Sequence, residues 1–253
     1  MLSLSFLAFS ALSLVSLVAG HGLVTEVKGA NGVTAAGFGV DANTPRDGSK
    51  ANPFQQDTSI IRDREIANGE VGACGRTKLG GPVDIAAEMA KVMAAGVPTA
   101  AADGTVTMTL HQVNQDGAGP FDVEVDPTGT GTGDFQPMEV TQQVPGRDIP
   151  VVGSFSRAKA TDFPLTAQLP AGMGCTGGGQ GVCLVRARNS AIAGPFGSCA
   201  AVSTNAGAAT ANSTALGTAA GAAAAKEVAK RFLVNELAKR NSDWGRVLGT
   251  ELE

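Results

Sequence analysis

The sequence predicts a mainly β protein, a β-sandwich with long loops, one short inserted helix and a C-terminal helix. Short segments that alternate apolar and polar residues recur along the chain, as strands of a half-buried sheet do. Turn-forming residues separate these segments, with 34 glycines and 12 prolines among 253 residues. The chain also has four cysteines, and this even number indicates two disulfides in an oxidising compartment. Many short strands with such turns favour two packed sheets.

The start of the chain predicts a secretory signal peptide, residues 1–20. An apolar run from Leu2 to Ala19 has serine as its only polar residue type, and it closes on Gly20. Removal of this segment would leave His21 as the N-terminus, whereas a cut one residue earlier would leave Gly20. The expected protein is therefore secreted and extracellular.

The β-sandwich domain is predicted to span residues 21–203. Its strands are expected at 23–28, 105–113, 121–126, 138–144, 149–152, 165–169, 182–188 and 198–202. Segment 29–77 is rich in Gly, Asn, Asp and Pro, which predicts a long loop over the core. Only turn residues separate the second and third strands, so these two are predicted to form a hairpin.

One helical pattern interrupts this domain, at residues 82–95. Ile85, Met89, Val92 and Met93 fall on one stripe of that helix. The stripe predicts a helix that packs on the sheet or in a loop.

The four cysteines are Cys74, Cys175, Cys183 and Cys199, and the sequence alone permits three pairings. Cys175 and Cys183 flank a glycine-rich stretch and would close it locally. In that case Cys74 would pair with Cys199.

The chain beyond the domain is predicted to form a linker and a tail. Residues 204–225 are rich in Ala and Gly and have little to bury, which predicts a linker. Asn212 begins an Asn-Ser-Thr glycosylation sequon within it. Residues 226–253 place apolar residues at helical spacing opposite charged ones, which predicts a C-terminal helical tail.

Composition argues against several features of partner-binding proteins. The net charge is −4 with no run of like charges, so there is no basic footprint for nucleic acid and no polybasic membrane patch. The signal peptide is the only segment apolar enough to enter a bilayer, so no membrane span is expected. We also expect a monomer.

The chain has no Tyr and one Trp, Trp244, which argues against a flat aromatic platform for carbohydrate.

The chain's two histidines, His21 and His111, are the candidate metal ligands. An N-terminal histidine offers its α-amine and imidazole Nδ1 as a chelate, and a second imidazole completes a set of three nitrogens. Such a tetragonal nitrogen set suits Cu(II), so one copper ion is the expected cofactor. His111 ends the threonine-rich face of its strand, so its ring is expected to be available for binding. A buried histidine with satisfied hydrogen bonds is the alternative.

Three short motifs resemble the layout of lytic polysaccharide monooxygenases: His-Gly at 21–22, Thr-Leu-His-Gln-Val at 109–113 and Gly-Pro-Phe-Gly-Ser-Cys at 194–199. Those secreted copper enzymes have an immunoglobulin-like β-sandwich and hold copper in a histidine brace. The resemblance implies that His21 and His111 are the equatorial ligands and that Phe196 lies on the axial side. It also implies that the disulfides steady the scaffold, and that a cell-wall polysaccharide of host or fungus is the partner.

A second resemblance covers nearly the whole mature chain. Stretches at 44–48, 52–58, 72–75, 110–120 and 193–199 are similar to the fungal appressorium-specific (Gas/Mas, Egh-type) virulence-factor family. This resemblance implies a filamentous fungus, expression in appressoria and a contribution to host penetration. It places the protein at the cell wall or host interface, with retention inside the appressorium as the alternative.

Two departures from the monooxygenase pattern separate the competing functions. Gly194 stands where many of those enzymes place Gln, and the chain lacks the usual phenolic axial residue. These departures favour a secreted virulence factor that binds copper without oxidising a substrate. The alternatives are an active copper-dependent polysaccharide monooxygenase and a metal-free structural effector, and no catalytic residue is assigned.

Overall fold

The computed structural model describes residues 21–48, 55–179 and 181–204. Within these ranges the chain forms fourteen strands, two α-helices and one short 3-10 helix. The strands are β1 (Gly22–Lys28), β2 (Thr34–Ala35), β3 (Ser59–Ile60), β4 (Arg76–Thr77), β5 (Gly81–Pro82), β6 (Thr105–Gln112), β7 (Phe121–Asp126), β8 (Gln136–Pro137), β9 (Glu139–Gln142), β10 (Arg147–Ile149), β11 (Gly153–Phe155), β12 (Thr161–Gln168), β13 (Val182–Asn189) and β14 (Phe196–Ser203). The helices are α1 (Asp63–Ala67), α2 (Ile85–Ala95) and the 3-10 turn Gln115–Gly117.

These strands build two antiparallel sheets. The five-stranded sheet has the order β2-β1-β6-β12-β9, and the seven-stranded sheet has the order β5-β4-β3-β14-β13-β7-β8. Strands β10 and β11 pair separately as a hairpin. The prediction of a mainly β sandwich is confirmed.

The core between the sheets is aliphatic. Val24, Met108 and Leu165 of the five-stranded sheet belong to one buried cluster with Val123 and Val185 of the seven-stranded sheet. Each of these side chains is at most 2% exposed. Burying a side chain of this size stabilises the fold by about 1.5–3 kcal/mol. The alternation of apolar and polar residues along the strands follows from this one-sided packing.

A second apolar cluster covers the outer face of the seven-stranded sheet. Met89 of α2 is buried there with Val182 and Leu184 of β13, so both faces of β13 are covered. Asp84 caps α2 by accepting a hydrogen bond from the Ala87 nitrogen at 3.0 Å. The predicted helix and its apolar stripe are therefore confirmed.

Two disulfides link the loops to this scaffold. Cys74 is bonded to Cys199, 125 residues away, and the pair belongs to the outer cluster. Cys175 is bonded to Cys183 and closes the loop that leads into β13. The longer link fixes the segment before β4 to the strand β14.

The connection between β6 and β7 differs from the hairpin predicted by the sequence. The hairpin predicted from residues 105–126 is wrong, because β6 belongs to the five-stranded sheet and β7 to the seven-stranded sheet. The segment between them, which we call the crossing segment (residues 113–120), passes from one sheet to the other through the 3-10 turn. Its turn residues suit such a crossing as well as they suit a hairpin loop.

Two further predictions are corrected by the structure. Segment 29–77 is not only a loop, since it contains β2, β3, β4 and α1, and β3 pairs with β14. The strand predicted at 149–152 is wrong because residues 150–152 form the tip of the β10–β11 hairpin. The other predicted strands are present, most with shifted ends.

No helix in the described ranges is long and apolar enough to span a membrane. The predicted signal peptide, nearly all of the predicted linker, Asn212 and the predicted tail lie outside the described residues.

Candidate metal centre

The register of β1 and β6 brings the two histidines together. Leu23 pairs with His111, so the next pair outward on the same face joins His21 to Val113. The Val113 nitrogen donates to the His21 carbonyl oxygen at 2.9 Å. His21 and His111 are therefore diagonal neighbours on one face of an antiparallel pair. Such neighbours lie about 7–8 Å apart, near enough for their imidazoles to share one ion.

The ring of His111 is buried, with 2% exposure. Its Nδ1 lies 2.7 Å from Oδ1 of Asp162, the residue paired with it on β12. Its Nε2 is buried and has no hydrogen-bond partner among the described residues. Because a carboxylate only accepts, the neutral ring carries its hydrogen on Nδ1 and presents a lone pair at Nε2.

The position of β6 in the sheet accounts for the burial of His111. The assignment of faces along β6 is confirmed, since Val106, Met108 and Leu110 are buried in the core on the opposite face. The ring is buried because β6 lies between β1 and β12 in the sheet, and its Nε2 has no hydrogen-bond partner among the described residues. Residues of both neighbouring strands flank the ring, as the paired Leu23 and Asp162 do.

The main-chain nitrogen of His21 is held by the crossing segment. It donates to Asn114 Oδ1 at 2.9 Å. In the unprocessed chain this nitrogen belongs to a peptide bond, and cleavage after Gly20 would convert it to an α-amine with a free lone pair. A Cβ on Gly117 would lie 1.9 Å from the His21 carbonyl oxygen. Only glycine therefore allows this close approach.

Phe196 brings the seven-stranded sheet to the site. Its ring centroid lies 5.5 Å from that of His21, with the ring planes tilted by 31°. The Phe196 nitrogen donates to Asn189 Oδ1 at 2.9 Å. Nδ2 of Asn189 donates to the carbonyl oxygens of Asp116 at 2.7 Å and Ala118 at 3.0 Å. One amide side chain thus ties β14 to the crossing segment.

Arg62 and Glu65 fix the loop that leads into β14. Arg62 donates to the carbonyl oxygens of Gly194 and Ala193, both at 2.9 Å. Glu65 is 7% exposed and accepts from Arg62 at 3.0 Å and from Arg76 at 2.9 Å. The hydrogen bond from Arg76 outweighs the effect of burial and lowers the pKa of Glu65 from its ordinary value of 4.5.

Gly194 packs directly against the aromatic residue of the site. A Cβ at this position would lie 2.5 Å from the Phe196 nitrogen and 2.7 Å from its ring atom Cδ2. A longer side chain would therefore have to displace the Phe196 ring.

Two carboxylates lie in the elements that hold the histidines: Asp162 beside His111, and Asp116 in the crossing segment. The side chain of Asp162 is 64% exposed. In the crossing segment, burial raises the pKa of Asp116. No group of three or more His, Cys, Asp or Glu side chains in the described ranges is arranged to hold a metal ion. The candidate donors are therefore two imidazoles and one main-chain nitrogen.

Comparison with known proteins identifies the family. Residues 19–197 match the model of the Egh16-like virulence factors. The chain belongs to this family. The matched region contains His21, His111 and Phe196, and the resemblance to appressorium-specific proteins is confirmed.

Two relatives of this Egh16-like protein come from Pyricularia oryzae. The appressoria-specific virulence factor GAS2 is 38% identical over an alignment of 239 residues, and the match covers 70% of this chain and 81% of the relative. The appressoria-specific virulence factor GAS1 is 39% identical over 203 residues, which cover 78% of this chain and 76% of the relative.

Sequence reasoning missed three residues that support the site of this Egh16-like protein: Asp162, Asn189 and Arg62. Asp162 is separated from His111 by 51 residues and reaches it only through the register of β6 and β12. Asn189 and Arg62 act on main-chain atoms, which carry no sequence signal. A predicted pairing of β6 with β12 would have drawn attention to Asp162 alone.

Proposed function

We propose that this chain is a secreted virulence factor of infection structures that binds one copper ion through His21 and His111. The observation that carries the copper proposal is the buried Nε2 of His111, which has no hydrogen-bond partner in the described part of the chain. A buried polar atom without a partner costs about 1–3 kcal/mol, and such atoms are rare in folded proteins. A metal bond to Nε2 satisfies this atom.

The other ring nitrogen of His111 supports the same role. Metal-binding histidines usually donate their second ring N–H to a carboxylate or carbonyl, which fixes the tautomer and the ring orientation. The hydrogen bond of 2.7 Å to Asp162 provides this arrangement. Asp162 is therefore the residue that would orient His111 toward the ion.

His21 would supply the remaining two nitrogens once the signal peptide is removed. Its α-amine and Nδ1 would chelate the ion, while an amine hydrogen keeps the bond to Asn114 Oδ1. With the imidazole of His111 this gives three nitrogen donors, which suit Cu(II). The ring of Phe196 would cover one side of the ion and supply no donor atom.

Copper supplies one-electron redox chemistry when bound, but the surrounding residues favour binding without substrate oxidation. Phe196 has no phenolic oxygen, and Gly194 leaves no space for a polar side chain beside it. We therefore propose that the protein holds or delivers copper, with polysaccharide oxidation as the alternative tested below.

The proposed biological setting comes from the family. Both relatives are named as appressoria-specific virulence factors. The two disulfides fit an oxidising compartment, which supports secretion. We propose that this chain acts in appressoria and contributes to host penetration.

The test is a Cu(II) titration of the secreted protein, with the N-terminus determined by mass spectrometry and the bound ion examined by EPR. We expect one tightly bound ion with a nitrogen-rich axial spectrum. His111→Ala, or one residue added before His21, should abolish both. Thr109→Ala is the matched control, since Thr109 lies on the same strand and face but is only half-buried. Weak Cu(II) binding that is the same in the His111→Ala variant and the N-terminally extended variant would exclude the histidine brace.

A second assay separates the two copper functions. The copper-loaded protein is incubated with cell-wall polysaccharides and a reductant, and the products are analysed by mass spectrometry. We expect no oxidised oligosaccharides above the level of the His111→Ala variant. Their reductant-dependent release would establish the enzyme instead.

A further inference from the structure

The β10–β11 hairpin exposes an aliphatic surface. Five large apolar side chains are exposed in the described ranges, and four of them lie on this hairpin or the loop beside it: Ile149 at 36%, Val151 at 89%, Val152 at 42% and Ile192 at 65%. The Ile192 nitrogen donates to the Val152 carbonyl oxygen at 3.2 Å, so the loop and the hairpin tip are contiguous. We call these four residues the aliphatic tip. Clustered exposed apolar side chains of this kind mark interaction sites.

The backbone of the aliphatic tip is strained, in addition to the exposure of its apolar side chains. Val151 has a φ of 73°, a region that a β-branched residue seldom occupies. Gly, Asn or Asp would suit this turn and would also be compatible with water. A valine here is both strained and exposed, and strained residues cluster at functional sites.

The hairpin holds the tip in a fixed position. Its inner face carries Ser154, which is fully buried and hydrogen-bonded to Ser190 Oγ at 3.0 Å. A Cβ on Gly153 would lie 2.1 Å from the Ser190 carbonyl oxygen, so the backbones are in close contact. The tip is therefore presented by a docked hairpin.

The outer face of the hairpin combines apolar and cationic groups. Arg147 is paired with Phe155, and Ile149 follows on the same face. These residues and Arg157 line an open cleft of about 490 Å3. Neither arginine forms a salt bridge with a carboxylate of the described residues. Two guanidinium groups without a salt bridge in the described ranges thus lie beside the aliphatic tip of a chain whose net charge is −4.

We propose that this hairpin docks on an anionic phospholipid surface. The guanidinium groups of Arg147 and Arg157 would bind lipid phosphates, which they suit in charge and geometry. The aliphatic tip would enter the acyl boundary, where each buried CH₂ is favourable. A sugar polymer fits less well, because Val and Ile offer neither a flat ring for stacking nor hydrogen-bonding groups. This proposal does not depend on copper binding.

The test is flotation of the secreted protein with phosphatidylcholine vesicles, with and without phosphatidylserine. We expect association with the anionic vesicles that weakens as salt is raised. Val151→Asp should reduce it about tenfold, which corresponds to about 1.4 kcal/mol. Val151 is exposed and has a positive φ that aspartate tolerates, so we expect this variant to fold. Leu79→Asp is the matched control, since Leu79 is 46% exposed and lies in the turn between β4 and β5, at one edge of the seven-stranded sheet.

A double Arg147→Gln, Arg157→Gln variant tests the charge separately. It should bind anionic vesicles no better than neutral ones. The proposal is overturned if the protein does not associate with anionic vesicles, or if Val151→Asp and Leu79→Asp have equal effects. It is also overturned if light scattering shows a dimer that Val151→Asp abolishes, because the tip would then mediate self-association. A third contrary result is that the hairpin variants impair binding to polysaccharide but not to vesicles.

Discussion

The hydrogen bond between Asp162 and His111 gives the sharpest prediction for the proposed copper site. Asp162→Ala removes the acceptor of the His111 Nδ1 hydrogen, so the ring can rotate and adopt either tautomer. Asp162→Asn keeps an acceptor oxygen in place but removes the negative charge. The two variants therefore separate orientation of the ring from charge near the ion.

The expected magnitude follows from the exposure of the carboxylate. Loss of an outer-shell partner weakens metal binding by about 10–100-fold. Because the Asp162 side chain is 64% exposed, water screens its charge and the lower end applies. We expect Asp162→Ala to weaken Cu(II) binding about tenfold, or about 1.4 kcal/mol. Asp162→Asn should fall between this variant and the unaltered protein.

The assay is a competitive Cu(II) titration followed by EPR, with thermal unfolding measured in parallel. A change in copper hyperfine splitting without a change in melting temperature would identify an orienting role, because a merely structural role would not move the spectrum. Asp122→Asn is the matched control, since Asp122 is an exposed strand residue of the other sheet. Unaltered affinity and spectrum in Asp162→Ala, with copper lost in His111→Ala, would refute the orienting role.

Two further predictions concern stability. Glu65→Gln should lower the melting temperature near neutral pH and have less effect as the pH falls below 4.5. The folded-state pKa of Glu65 is depressed, so the ionised carboxylate stabilises the fold above its unfolded pKa. This contribution is lost as the pH drops through the folded-state pKa. An equal effect at every pH, measured by calorimetry, would contradict this. Replacing Cys74 and Cys199 by serine should cost about 2–5 kcal/mol in denaturant unfolding, and more than replacing Cys175 and Cys183, because the first bond spans 125 residues and the second only 8.

Local sequence patterns predicted strands and helices well where burial of one face determines the pattern. Phe121–Asp126 alternates apolar and polar residues because one face of β7 packs on the core, and its predicted bounds match the structure. The stripe through Met89 predicted α2 for the same kind of reason, since one side of the helix is buried. Periodicity follows from burial, and both elements are buried on one side.

The same patterns do not report which sheet a strand joins. Residues 105–126 contain two good strands and a turn-rich connection, yet the two strands belong to different sheets. The choice depends on contacts that β6 makes with β12 and β7 with β13, far along the chain. The candidate ligands could be named from motifs, but Asp162 could not, because its role exists only once β12 is in register with β6.

Segment 29–77, predicted as a loop over the core, contributes directly to the shape of the proposed site. Arg62 donates to the Gly194 carbonyl oxygen at 2.9 Å, and the Ile61 nitrogen donates to the Pro195 carbonyl oxygen at 2.8 Å. These bonds hold the carbonyl groups of the two residues that precede Phe196. Since the loop is fixed there, a side chain longer than glycine at position 194 cannot be accommodated by a shift of the backbone alone. Main-chain packing thus fixes the space beside Phe196 and leaves no room there for a side chain at position 194.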